Sequence, residues 1–223
     1  MNPESFWQEI LPPDAVTFDG YPARFEDGRI LLLPIRHLPD GKHALASLII
    51  NQASFAVVDA LACVLADKLT AFAPDLVVGL PTLGLTLASA VARKLGHTRY
   101  VPLGNSAKFW YRPELSIPLS SITTPEQQKR LFIDPRMLPL LEGRCIALVD
   151  DVISSGVSML AAMALLDSCG VKPTVLATAM LQSEAWRERL SGLNIVSVLR
   201  SPILTIDPPI GTSFPRFTNQ RLP

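Results

Sequence analysis

A chain of 223 residues that is 48% hydrophobic is long enough for one large domain or two small ones, and one is the expectation. Its 20 basic and 20 acidic residues balance, which argues against a nucleic-acid-binding tail or a membrane-binding surface. Three widely spaced cysteines, Cys63, Cys145 and Cys169, sit in apolar contexts without a CxxC, which argues for a reducing compartment and against disulfides or zinc. The histidines, His37, His43 and His97, show no metal-ligand spacing. The stretch MNPESFWQEILPPD has no positive region followed by an apolar core, so no secretion signal is expected. The most apolar long window, Leu76 to Ala92, is broken by Gly79, Pro81 and Gly84, too often for a membrane span. A cytoplasmic protein is expected.

In chain order, residues 1–45 are rich in proline and turn residues, with one convincing strand, Gly28 to Ile35. Asp27-Gly28 precedes it and Pro39-Asp40-Gly41 follows, so a small antiparallel β-element is expected. From Asn51 to about Leu69, apolar residues at Phe55, Val58, Leu61, Leu65 and Leu69 have helical spacing, with Asn51 as the cap and Pro74 beyond the end. Leu76 to Val78 reads as a buried strand and Gly79 to Gly84 as a tight loop. Leu85, Ala88, Val91, Ala92 and Leu95 mark a helix closed by Gly96. Arg99 to Leu103 reads as the next strand. Residues 104–144 are too many for an ordinary connection. There, Lys108 to Arg112 and Leu115 to Leu119, separated by Arg112-Pro113-Glu114, suggest a β-hairpin, followed by the polar SSITTPEQQKR.

The stretch Cys145 to Gly170 organises the rest. Cys145 to Val149 is a short apolar run, as in a strand buried on both faces of a parallel sheet. Asp150 and Asp151 follow, then the small hydroxyl-rich turn Ser154-Ser155-Gly156-Val157-Ser158. Apolar residues at Val157, Leu160, Ala161, Ala164 and Leu165 then mark a helix ended by Gly170 and Pro173. A helix N-terminus offers unpaired N–H groups and partial positive charge, so a phosphate can settle there without lysine or arginine. The carboxylates, at the carboxyl end of the strand, can accept hydrogen bonds from paired sugar hydroxyls. Together these parts describe a pocket for a ribose 5-phosphate. Further strands are expected at Thr174 to Met180 and Asn194 to Leu199, with a short helix at Glu184 to Leu190 between them. Pro202 to Pro223 reads as a proline-rich tail. The repeating strand–helix order predicts an α/β fold with a doubly wound, mostly parallel sheet.

VDDVISSGVSM resembles the 5-phosphoribosyl 1-diphosphate (PRPP) motif of the type I phosphoribosyltransferases. Ser155 and Ser158 stand where threonine is usual, and Val157 where a second glycine is common. The loop Gly79-Leu80-Pro81-Thr82-Leu83-Gly84 resembles the pyrophosphate loop of the same family. Successive N–H groups in such a turn form an anion-binding concavity, and Leu85-Thr86 after the second glycine excludes a Walker-type loop. Leu83 replaces an arginine frequent in the adenine-specific branch. The resemblance implies a long lid over the diphosphate carrying a basic residue, Lys108 first and Arg112 second. It also implies a base-covering hood, for which residues 1–45 are a candidate, around a core at 46–200 with a tail at 201–223. The implied activity is transfer of phosphoribosyl from PRPP to a nucleobase, a purine by preference. Mg²⁺ would be held mainly through substrate and water, with Asp150 or Asp151 as possible ligands. A homodimer without nucleic-acid or membrane partners is the implied assembly. Two alternatives are a PRPP-binding regulatory protein without catalysis and a generic α/β sugar-phosphate binder. The first is disfavoured because the proline-broken N-terminal segment does not read as a DNA-binding helix-turn-helix.

Overall fold

The computed structural model describes residues 6–16, 19–119 and 130–206 and the backbone of 217–218. Strands β1 (Tyr21–Arg24) and β2 (Ile30–Leu33) form an antiparallel hairpin. β3 (Ile35–His37) and β4 (His43–Ala46) form a second one. The single strand expected over Gly28 to Ile35 is therefore two, interrupted at Pro34, whose ring removes a ladder donor. The Asp40 carboxylate shapes the turn of the second hairpin. It accepts from the backbone N–H groups of Lys42 and His43, each at 2.9 Å, and lies 2.7 Å from His43 Nδ1. These bonds, the His43 side chain first, hold its pKa down to about 2.

Helix α1 (Phe55–Leu69) is capped by Ser54, whose hydroxyl accepts from Val57 N at 3.2 Å. Asn51, the expected cap, lies instead in a 3-10 turn over Ile50–Gln52. Apolar spacing alone did not distinguish two polar residues three positions apart. The helix buries Val57, Val58, Leu61, Leu65 and Leu69 but leaves Phe55, at its first turn, 90% exposed.

The central sheet contains β5 (Leu76–Gly79), β6 (Val101–Pro102), β9 (Ile146–Ile153), β10 (Val175–Gln182) and β11 (Ile195–Ser201), all parallel, in the order β11-β10-β9-β5-β6. Between β6 and β9, β7 (Ser116–Pro118) and β8 (Arg130–Phe132) pair antiparallel. The expected hairpin within 108–119 is thus displaced. Pro113–Leu115 is a 3-10 turn, and the second arm lies beyond the polar stretch, of which 120–129 lie outside the described residues. Helix α2 (Gly84–Lys94) shares one face of the central sheet with α1, where Val77, Leu87, Val91, Ala147 and Val149 are buried together. α3 (Val157–Ser168) covers the other, where Val78, Leu148, Met159, Leu165 and Leu166 meet. Burial on both faces is why β5 reads as a continuous apolar run and β10 as one broken only by Thr178 before Gln182. The buried stripe of α3 is Met159, Ala162, Leu165 and Leu166, whereas the expected Leu160 and Ala164 face solvent. In a helix that is apolar nearly all round, periodicity does not select a face.

After α4 (Trp186–Arg189) and β11, the chain forms β12 (Ile203–Ile206) and β13 (Phe217–Thr218). These join β4 and β3 in a four-stranded antiparallel sheet, order β13-β12-β4-β3. The segment expected to be an aperiodic tail thus supplies two strands, with Ile203 opposite Leu45 and Thr205 opposite His43. Among the described residues, no helix is long and apolar enough to cross a membrane.

Candidate functional site

β5 and β9 are hydrogen-bonded neighbours, yet the chain leaves them in opposite directions, through α2 to β6 and through α3 to β10. Their carboxyl ends therefore open a crevice at the topological switch point, where open α/β sheets take ligands. Both motifs singled out in the sequence lie there. A Cβ built on Gly84 would fall 2.7 Å from Asp150 Oδ1 and 2.9 Å from Asp150 Cα, so only glycine lets α2 begin so close to the acidic pair. Gly79 serves the other end of the loop, since its Cβ would meet Ala88 Cβ at 2.6 Å.

Within this loop the roles divide. Leu80 is buried in the core and spends its N–H on Val149 O at 2.9 Å, so neither serves a ligand. Pro81 has no N–H, and the Pro81–Thr82 peptide is cis. The backbone N–H groups of Thr82, Leu83 and Gly84 have no hydrogen-bond partner among the described residues. Such free N–H groups in succession can bind an anion. The Leu83 side chain packs against the core.

Asp150 is 8% exposed and Asp151 half-buried. Burial pushes the Asp150 carboxyl well above its usual range, and the neighbouring Asp151 charge pushes it further. Burial also raises Asp151, against hydrogen bonds that lower it. β9 runs past the expected end at Val149 to Ile153, so the pair lies within the strand, beyond the end of β5 but still paired with β10. Asp151 N donates to Asp150 Oδ1 at 2.9 Å, and the buried Thr178 hydroxyl donates to Asp151 O at 2.8 Å. Two crowded carboxyls at a crevice are relieved by sugar hydroxyls or a cation. Among the described residues no group of three His, Cys, Asp or Glu side chains could hold a metal. The pair does fit Mg²⁺, a hard cation that takes one or two carboxylates and completes its shell with water and substrate oxygens.

The turn Ser154 to Ser158 leads into α3. Gly156 takes the left-handed conformation (φ +80°) immediately before the first helical residue, and Val157 N donates to Ser155 Oγ at 3.5 Å. The first turn of α3 directs its unpaired N–H groups toward the same end of the sheet as the acidic pair. Ser154 and Ser155 are half-buried and Ser158 is exposed.

The basic residues expected on the lid sit apart from these groups. Lys108 and Arg112 are exposed, in and beside a turn closed by Tyr111 N on Lys108 O at 2.9 Å, and neither side chain has a partner among the described residues. The segment is nevertheless tied to the crevice, because Asn105 Nδ2 donates to Thr82 Oγ1 at 3.2 Å. It is also anchored through Trp110. The indole donates to Asp134 Oδ2 at 3.1 Å, and Arg136 binds the same carboxylate while its guanidinium lies 4.7 Å from the indole centroid. Arg136 holds the Asp134 carboxyl far below the usual carboxylate range. Phe109, by contrast, is 96% exposed.

Sequence reasoning missed Asn105, Thr178 and Gln182. Gln182, buried at the carboxyl end of β10, donates to Ala46 O at 2.7 Å and so fastens the four-stranded sheet to the core. The available signal was two polar residues, Thr178 and Gln182, in the otherwise apolar run VLATAMLQ.

Residues 45–198 match a family described as the phosphoribosyl transferase domain. No curated protein matches the chain. Among solved structures, the chain is similar to the APRTase from Giardia lamblia complexed with 9-deazaadenine, with a TM-score of 0.60 and 24% identity over 75% of this chain and 93% of that one. It is also similar to the adenine phosphoribosyltransferase from Thermoanaerobacter pseudethanolicus, with a TM-score of 0.59 and 20% identity over 75% and 95%. The UMP synthase of Leishmania donovani gives a TM-score of 0.50 and 17% identity over 74% and 32%. At these identities the likeness is one of fold.

Proposed function

The chain belongs to the phosphoribosyltransferase family, and on that premise we propose that it transfers the 5-phosphoribosyl group of PRPP to a nucleobase, a purine by preference, with release of pyrophosphate. The observation that carries this reading is the convergence of two strand-to-helix loops on one acidic pair, so close that a Cβ on Gly84 would fall 2.7 Å from Asp150 Oδ1. One loop suits a leaving diphosphate and the other a 5-phosphate, and the carboxylates between them suit the ribose hydroxyls.

The bond from C1 to the diphosphate oxygen breaks with its electron pair leaving on pyrophosphate, and a ring nitrogen of the base forms the new bond to C1. Positive charge grows on the ribose as the leaving group departs. Asp150 and Asp151 hold the ribose hydroxyls and favour that charge, while the N–H groups of Thr82, Leu83 and Gly84 receive the diphosphate. Ser154, Ser155, Gly156, Val157 and Ser158 anchor the 5-phosphate, so binding energy remote from C1 orients the reacting carbon. Asp150 or Asp151 would hold Mg²⁺, which would supply charge neutralisation at the diphosphate. Lys108, with Arg112 beside it, adds positive charge on closure over the site, which excludes water. In this reading the four-stranded sheet, pinned to the carboxyl end of β10 by the hydrogen bond from Gln182 to Ala46 O, covers the base. The purine preference is supported by the adenine phosphoribosyltransferases among the structural neighbours. The protein acts as a homodimer in this reading.

The test is a screen of nucleobases with Mg²⁺ and PRPP for pyrophosphate release. Release with a purine and little with orotate or uracil is expected. Tight PRPP binding without consumption of any base would replace the enzyme with a PRPP sensor.

A further inference from the structure

The turn that receives the 5-phosphate contains no lysine or arginine between Asp150 and Ser158. A phosphate monoester carries close to two negative charges at neutral pH. The segment that follows β10 brings a cation to this turn. Arg189 Nη1 donates to Ser155 O at 3.3 Å and to Ala185 O at 3.4 Å. Its Nε and Nη2 donors have no partner among the described residues, and no carboxylate there forms an ion pair with it. Its neighbour Arg187 is committed elsewhere, paired with Glu184 and stacked 5.1 Å from the Trp186 ring centroid. Arg189 is therefore an uncompensated positive charge docked on the loop.

The same segment shapes the loop from beneath. A Cβ on Gly156 would meet Leu190 Cγ at 3.1 Å and Trp186 Cβ at 3.6 Å, so the left-handed turn rests directly on this short helix. Ser183, itself at φ +60°, places its hydroxyl 3.4 Å from Ser154 O, and Trp186 Nε1 returns to Ser183 O at 3.0 Å. Ser154, Ser155 and Gly156 are thus each touched by residues 183–190.

Resting on the phosphoribosyltransferase reading, we propose that Arg189 is the cation of the 5-phosphate subsite. By binding the Ser155 carbonyl it engages a dipole that would otherwise be free to oppose the phosphate, and its free donors give the dianion a charge-assisted contact. A bare capping role, in which Arg189 only tethers the loop, is the competing account. Arg189→Gln removes the charge and, its amide ending where Arg189 Nε lies, also the Nη1 bond to the Ser155 carbonyl. Arg189→Lys, which loses the same bond but keeps the charge, separates the two. Ribose 5-phosphate affinity lost with glutamine and largely kept with lysine marks the cation, and equal loss in both marks the tether.

The experiment is calorimetric titration of ribose 5-phosphate, and separately of magnesium pyrophosphate, into the parent protein, Arg189→Gln and Arg189→Lys, with melting temperatures recorded beside them. Arg189→Gln should weaken ribose 5-phosphate about 10- to 100-fold and leave pyrophosphate binding and melting temperature unchanged. In turnover, KM for PRPP should rise by a similar factor with kcat nearly constant. Equal loss in both variants would overturn the proposal in favour of the tether, and equal affinity in parent and Arg189→Gln would overturn it outright. So would a parallel loss of pyrophosphate binding, which marks a collapsed site, or a parent that does not bind ribose 5-phosphate. A parent that binds it, loses it with Arg189→Gln and yet consumes no base would refute the catalytic reading while leaving this assignment in place.

Discussion

Gly84→Ala perturbs the point on which the two halves of the site converge. The added methyl would sit 2.9 Å from Asp150 Cα and 3.3 Å from Asp151 N, both backbone atoms, besides 2.7 Å from Asp150 Oδ1. Widening the 2.9 Å gap to the 3.4 Å of ordinary packing requires about 0.5 Å of movement between α2 and β9. Two effects oppose each other. Alanine favours a helix over glycine by about 1 kcal/mol in an interior position, and by less at the first residue, where Gly84 stands. Overpacking against backbone costs about 1–3 kcal/mol. The clash wins, so a net destabilisation of roughly 1–2 kcal/mol is expected by urea denaturation. The functional loss should be larger in proportion. An ångström of misplacement in a reacting constellation can cost about a hundredfold, so half of that predicts a fall in kcat/KM of about tenfold or more. Gly104→Ala is the control, because its Cβ would meet nothing closer than 3.9 Å. If Gly84→Ala retains parental turnover and stability, or Gly104→Ala loses as much, the convergence of α2 on Asp150 is not what organises the site.

Asp150→Asn should reduce PRPP turnover by about two orders of magnitude or more and make stability less dependent on pH. The folded-state pKa of Asp150 is raised, so in the parent its contribution falls as pH rises from the unfolded carboxyl value, about 3.9, through the higher folded value. The stability difference should therefore shift in favour of the variant from about pH 4 upward and then level off. A difference that stays flat across this range in urea titrations would contradict the burial argument. Gln182→Ala leaves the Ala46 carbonyl without its donor, which should cost about 1–3 kcal/mol and raise KM for the base more than KM for PRPP. An unchanged base KM would separate the four-stranded sheet from base binding. Lys108→Ala should lower kcat while PRPP affinity by calorimetry stays close to parental. Weakened binding with kcat intact would reduce Lys108 to a ground-state contact.

Local chemistry wrote much of this protein into its sequence. The apolar runs Leu76–Val78 and Cys145–Val149, each followed by a glycine- or serine-rich turn and a helix, identified two adjacent strand–loop–helix units, because burial on both faces leaves a strand nothing but apolar residues. The acidic pair after an apolar run and the small-residue turn beyond it marked where the crevice lies for a similar reason. Few ligands require carboxylates on one side and bare N–H groups on the other. Tertiary structure alone decided whatever depends on residues distant in the chain. Ser54 rather than Asn51 became the cap of α1 where Trp7 O and Gln8 O receive the Ser54 N–H and hydroxyl. The sequence of α3, apolar almost all round, left its buried face to be chosen by the sheet beneath it. The strand at Ile203–Ile206 exists because β4, from the other end of the chain, offers it an edge. Arg189 reaches Ser155 only after β10 and its following turn have folded back beside the turn Ser154 to Ser158. Periodicity and turn chemistry act over a few residues and are legible in order; pairing, burial of a chosen face and the delivery of a remote charge are set by proximity in space.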